Sequence, residues 1–121
     1  MKKIILKAKI NFKSELNLKN LSKINFDEKF ISKINILYDN KEFKLQELFK
    51  IQMQKSDKNE LIIAGTNRNC DYLGWKWKKG ILRIKSDVGS FLGVQMINGK
   101  IIVEGSCGHH VGSEITGGKI L

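Results

Sequence analysis

The chain has 121 residues, with 22 Lys and Arg against 12 Asp and Glu for a formal charge of +10, and it contains two cysteines, two histidines and no proline. That length supports one hydrophobic core, and no apolar run approaches the roughly 20 residues that cross a bilayer. MKKIILKAKI at the start carries basic residues at both ends and in the middle, leaving no apolar stretch of the about 7 to 15 residues that a signal peptide requires; a cytoplasmic protein with no membrane partner is expected.

Residues 1–59 read as an α+β region. IILKAKINF has strand character, and Asp27 is placed to cap a short helix over EKFISKI. INILYD and EFKL read as a hairpin about a turn at Asp39 to Lys41, after which helical QELF interrupts the alternation. SDKNE, residues 56–60, is the natural junction with the second half of the chain. No low-complexity linker separates the two parts, so 1–59 is expected to cap 60–121 within one compact unit.

From residue 62 one glycine-spaced pattern recurs three times at a period of nineteen, as IIAGTNRNCDYLGWKWKKG, ILRIKSDVGSFLGVQMING and KIIVEGSCGHHVGSEITGG. The third copy holds Gly105, Gly108, Gly112 and Gly118. The second holds Gly89, Gly93 and Gly99 with Ser86 in the first slot, and the first holds Gly74 and Gly80 with Asn67 and Cys70 in the others. A fixed period of this kind marks units that must stack to bury their apolar faces. Ile63, Leu82, Ile101 and Ile120 fall in one column, Leu73, Leu92 and Val111 in a second, and Trp77, Met96 and Ile115 in a third. Such columns predict the interior of a short right-handed parallel β-helix of about three coils, with structural glycines at corners that need φ > 0 or close backbone approach. Equivalent corners are expected at Gly93 and Gly112.

The positive charge is diffuse: residues 1–59 carry 14 Lys against 7 acids, and residues 60–121 carry 8 basic residues against 5. Only Arg68 and Arg83 are arginines, and bidentate recognition of phosphates and base edges draws mainly on Arg. Arg68 with Trp75 and Trp77 is the best local case for nucleic-acid binding. Trp77, however, shares the Met96 column, which places it in the core. A solvated lysine surface is the better reading.

Cys70 and Cys107 lie in neighbouring columns two coils apart. Stacking separates them by roughly 9 to 10 Å, beyond the ~7 Å that a disulfide allows between Cα atoms, so both are expected as free thiols. Cys107 shares its column with Val88 and reads as a small buried residue, whereas Cys70 replaces a corner glycine and reads as the more exposed. Cys107, His109, His110 and Glu114 form the one cluster with metal-ligand chemistry, yet no C-x2-C or H-x3-H spacing supports a metal site. His110 aligns instead with Tyr72 and Phe91, which predicts a ladder of stacked rings, and His109 aligns with Asp71 and Ser90. No Ser, His and acid arrangement recurs, and no G-K-[ST] element succeeds the glycines, so no catalytic site is read from this chain.

GTNRNCDYLGWKWKKG together with DVGSFLGVQMINGKIIVEGSCGHHVGSEITGGKI resembles the glycine-patterned scaffold subunit of formylmethanofuran dehydrogenase, the archaeal enzyme that fixes carbon dioxide onto methanofuran at the entry to methanogenesis. It is similar, more distantly, to the corresponding subunit of the methylotrophic formyltransferase/hydrolase complex and to the glycine-patterned C-terminal domain of glutamate synthase. The resemblance is strong over residues 60–121 and weaker before them. It implies a non-catalytic scaffold or docking subunit of an oxidoreductase complex in one-carbon metabolism. The molybdenum or tungsten pterin and the hydrolytic metals would then belong to partner subunits, with no cofactor in this chain. Family members continue for several more coils, whereas this sequence reaches only Lys119, Ile120 and Leu121 of a fourth, which makes Ile120 and Leu121 candidates for an interface with a partner subunit or a second copy. The alternative is a free-standing small β-solenoid that binds an anionic coenzyme or a metal along the glycine corners, where backbone N–H groups can form anion-binding concavities.

Overall fold

The computed structural model describes residues 1–24, 26 and 28–121. Its elements run β1 (Lys2–Ala8), β2 (Leu16–Asn17), a 3-10 turn (Lys19–Lys23), α1 (Glu28–Ile31), β3 (Asn35–Tyr38), β4 (Lys41–Lys44), α2 (Leu45–Leu48), β5 (Phe49–Lys55), β6 (Glu60–Ala64), β7 (Cys70–Asp71), β8 (Ile81–Ile84), β9 (Lys100–Val103) and β10 (Lys119–Ile120). The fold is therefore mainly β. The expected helix over EKFISKI is present as the single turn α1, while Asp27, its expected cap, lies outside the described residues. The hairpin forms as β3 and β4, with Asp39 and Asn40 at φ of 53° and 61°, the left-handed pair that a two-residue hairpin turn requires.

Two mixed sheets face one another. The larger has the order β10-β9-β8-β6-β1-β5 and the smaller β4-β3-β2-β7. Pairing is parallel from β10 through β9, β8 and β6 to β1, and antiparallel between β1 and β5. In the smaller sheet β2 runs parallel to β7 and antiparallel to β3. The N-terminal region thus covers the first coil strand for strand: β1 lies along β6 and β2 along β7, which satisfies edges that would otherwise be open.

Leu82, Ile101 and Ile120 stand opposite one another at the nineteen-residue spacing. The first coil differs from expectation. Leu61, not Ile63, pairs with Leu82, while Ile63 pairs with Ile84 and, through it, with Val103. The segment from Leu61 to Tyr72 is two residues longer than its counterpart from Leu82 to Phe91, because Gly65 to Asn69 make a wider turn. Asn67 organises that turn: its Oδ1 accepts the Asn69 N–H at 2.9 Å and its Nδ2 donates to the Phe12 carbonyl at 2.9 Å.

Alternation along the larger sheet sends Ile4, Leu6, Leu61, Ile63, Leu82, Ile84 and Ile101 inward, where each is fully buried. Leu73, Leu92, Trp77 and Met96 meet them from the opposite turns, and Phe12, Leu16, Leu45 and Phe49 close the N-terminal end of the same core. Each such aliphatic side chain contributes about 1.5–3 kcal/mol of burial free energy. Trp77 is indeed interior, and its indole N–H finds the Gly80 carbonyl at 3.1 Å.

Candidate functional site

The turns between the parallel strands superpose their side chains coil on coil. Tyr72 stacks on Phe91 with ring centroids 4.7 Å apart and planes within 8°, and Phe91 stacks on His110 at 5.1 Å and 6°. Their φ angles are 63°, 64° and 59°, a left-handed conformation that bulky residues adopt at a cost. Hydrogen bonds between coils hold them there: Tyr72 N donates to Ser90 O at 3.0 Å and Phe91 N to His109 O at 2.8 Å. At the N-terminal end the ladder is closed by a cation, since Lys19 Nζ lies 4.3 Å from the Tyr72 ring centre and 5.3 Å from that of Trp75. Lys76 Nζ lies 4.6 Å from the Trp75 ring centre. Ammonium groups over aromatic faces are attracted by the ring quadrupole.

Beside the rings runs a column of acceptors. Asp71 Oδ1 accepts the Ser90 N–H at 2.8 Å, and Ser90 Oγ accepts the His109 N–H at 3.2 Å. Asp87 Oδ1 does the same for Ser106 N at 2.8 Å. The Asp71 carboxylate reaches Ser90 across Gly89, where an added Cβ would strike that carboxylate and come within 2.5 Å of the Arg68 carbonyl oxygen. Glu15 stands against Asp71. Partial burial first, then the hydrogen bond to Asp71 and its negative charge, raise the Glu15 carboxyl above its ordinary pKa.

Gly93 and Gly112 occupy equivalent corners at φ of 65° and 67°. A Cβ on Gly93 would lie 2.5 Å from Ile120 Cδ1, whereas one on Gly112 would lie 3.3 Å from the same atom. Gly105 and Gly108 meet a different demand, with Ser86 and Gly89 backbone too close for any side chain.

Arg68, Val88, Gly89, Ser90, Cys107, Gly108 and His109 line a cleft of about 370 Å³. The fold brings Cys107 and His109 together there and adds Arg68. It sends His110 to the ring ladder, and Glu114 Oε2 accepts from Gln95 Nε2 at 2.8 Å. Among the described residues no three or more His, Cys, Asp or Glu are placed to share a metal ion.

The cysteines reverse their expected exposure: both are free, but Cys70 is buried and Cys107 exposed. Pairing of Leu16 with Cys70 lays β2 over the first coil and encloses that thiol, whereas Cys107 lies on the outermost turn. Burial raises the Cys70 thiol to about 11, an effect opposed by the hydrogen bond from Asn67 N and aided by the Asp71 charge; burial also raises that of Cys107.

At the C-terminal end the apolar columns emerge. Leu73, Leu92, Trp77 and Met96 are no more than 2% exposed, but Val111 and Ile115 are each 42% exposed and Leu121 is 65% exposed; Ile120 is half-buried. Sequence patterns alone do not reveal Asn67, the turn it organises or the Arg83–Glu60 ion pair, at 2.9 Å across the larger sheet. An asparagine three residues before a cysteine carries no pattern of its own. The spacing of Leu61 and Leu82, two residues beyond the period, is the one available signal. No helix among the described residues is long and apolar enough to cross a membrane.

No protein-family model and no curated protein sequence matches the chain. Among solved structures it is similar to a chain of the formyltransferase/hydrolase complex (FhcABCD) from Methylorubrum extorquens, determined in complex with methylofuran. The similarity has a TM-score of 0.78 and 29% sequence identity over 96% of this chain and 44% of that chain. The present sequence thus spans less than half the length of its structural neighbour.

Proposed function

We propose that the chain is a non-catalytic scaffold or docking subunit in one-carbon metabolism, related to the glycine-patterned scaffold subunit of formylmethanofuran dehydrogenase. The observation that carries this reading is the structural similarity over 96% of the chain to a component of a multisubunit formyltransferase/hydrolase complex. In this reading residues 60–121 form a short right-handed parallel β-helix of about three coils, capped by the α+β region 1–59. The parallel ladder of Leu82, Ile101 and Ile120 supports that architecture. So does the ring stack of Tyr72, Phe91 and His110.

The same proposal assigns the chemistry to partners. A molybdenum or tungsten pterin and the hydrolytic metals reside in other subunits, in the cytoplasm of an archaeal methanogen or of an organism with the equivalent formyl-transfer route. Docking through Ile120 and Leu121, to a partner subunit or to a second copy, is favoured by the apolar side chains exposed on that end. A second reading, a free-standing binder of an anionic coenzyme or a metal, draws on the cleft that gathers Arg68, Cys107 and His109.

Assay of the isolated chain with formylmethanofuran separates a subunit from an enzyme. No turnover is expected; turnover by the chain alone overturns the scaffold reading.

A further inference from the structure

The outward face of the six-stranded sheet carries a charge pattern that folding does not account for. Ile5 pairs with Ile62, Ile62 with Arg83 and Arg83 with Ile102, so a half-buried, mostly apolar row crosses β1, β6, β8 and β9. Arg83 is committed to Glu60 at 2.9 Å and Lys85 to Glu104 at 3.0 Å. The other lysines do not avoid one another. Lys7 stands directly opposite Lys50 across β1 and β5, and Lys100 directly opposite Lys119 across β9 and β10. Like charges facing each other across neighbouring strands destabilise a sheet. Among the described residues none of these four lysines has a carboxylate within ion-pair distance.

We infer that this face docks an acidic protein surface with an apolar centre, on a partner subunit of the assembly. The two lysine pairs, at opposite ends of a sheet about 24 Å wide at five strand spacings of ~4.8 Å, supply the charge, and the isoleucine row supplies the dry centre that a protein interface has. Opposed lysines become favourable once carboxylates approach them, so the repulsion tolerated in the free chain selects for an anionic partner. The composition of the face disfavours nucleic acid. Its one arginine is engaged by Glu60, and no aromatic side chain occupies an outward position on these strands, whereas single-stranded nucleic acid needs stacking platforms.

This inference rests on the docking-subunit reading, and its test has two arms. In the first, the chain purified with its companions is treated with a carbodiimide, which joins a lysine amine to a carboxylate in direct contact. Amide links from Lys7, Lys50, Lys100 or Lys119 to Asp or Glu of a formyltransferase/hydrolase-type subunit are expected; links to such a subunit that leave only from other lysines overturn the assignment. In the second, the purified chain binds poly-L-glutamate or poly-uridylate. The variant K7E/K50E/K100E/K119E is compared with K13E/K41E/K44E/K78E, which changes the net charge equally elsewhere, and folding of both is verified by circular dichroism. A loss of poly-glutamate binding at least tenfold greater in the first variant supports the face. Equal losses overturn it, as does poly-uridylate binding that is tighter than poly-glutamate binding and is lost with the same four lysines. If the chain emerges with no such subunit, the docking reading fails, and the second arm alone judges the face.

Discussion

The amide N–H of Gly65 donates to the hydroxyl of Ser86 at 3.2 Å, which makes Gly65 the counterpart of Ser86 in the preceding coil. Gly105 is its counterpart in the following coil, where an added Cβ would lie 2.5 Å from the Ser86 carbonyl oxygen. The first corner of the first coil is therefore Gly65 and not Asn67. The two residues gained there let Asn67 reach back to the N-terminal region, and they join cap and coils at one turn.

Replacing Asn67 by Ala removes its hydrogen bonds to Asn11 Oδ1, to the Phe12 carbonyl and to the Asn69 N–H. The Phe12 carbonyl retains Asn69 Nδ2 at 2.9 Å, so the loss is partial. A destabilisation of about 1–3 kcal/mol is expected, measured by urea unfolding. An unchanged midpoint would show that the turn does not tie the cap to the first coil.

The corner glycines differ in what they forbid. Gly112→Val forces a β-branched residue to positive φ with little steric conflict, and costs about 1–3 kcal/mol through backbone strain. Gly93→Val adds a clash with Ile120 and should unfold at a lower temperature than the Gly112 variant. Unchanged thermal unfolding of Gly112→Val would falsify the corner assignment.

Much of this is legible in the sequence because coil stacking repeats the same steric problem at a fixed spacing. The ring ladder of Tyr72, Phe91 and His110 and the corners at Gly93 and Gly112 follow from column position alone. Column position misaligns the first coil because its extra residues lie in a polar turn with no hydrophobic signal of their own. The exposures of Cys70 and Cys107 are reversed for a related reason. Column chemistry says what is equivalent between coils, but not which coil lies beneath the N-terminal strands and which lies outermost. The lysine face is equally illegible, since the opposition of Lys7 to Lys50 depends on a long-range antiparallel register that neither segment encodes alone.

Thiol titration separates the two cysteines. The native chain is expected to present one rapidly reacting thiol, Cys107, while Cys70 reacts only after unfolding, because burial both shields it and holds it protonated. Two equally fast thiols in the native chain would contradict the enclosure of Cys70 by β2.

The Glu15 carboxyl has a raised pKa in the folded chain, so the native state binds its proton more tightly than the unfolded chain does. The resulting penalty is absent below the ordinary carboxylate pKa of about 4.3 and grows as pH rises through the folded value. Glu15→Gln keeps a hydrogen-bond donor for Asp71 and removes the repulsion. It should stabilise the fold at pH 7 by about 0.5 kcal/mol or less, as screening limits such exposed interactions. The gain should vanish as pH falls below that range, and a gain that persists in acid would assign it to another cause.

Native mass spectrometry of the chain, purified under mild conditions from the cells that make it, decides between a subunit and a free protein. A docking subunit appears in a stoichiometric assembly whose mass is the 13.8 kDa of this chain plus those of formyltransferase/hydrolase-type or pterin-bearing subunits. A species of 13.8 kDa alone, or one that carries only a stoichiometric small ligand, contradicts it.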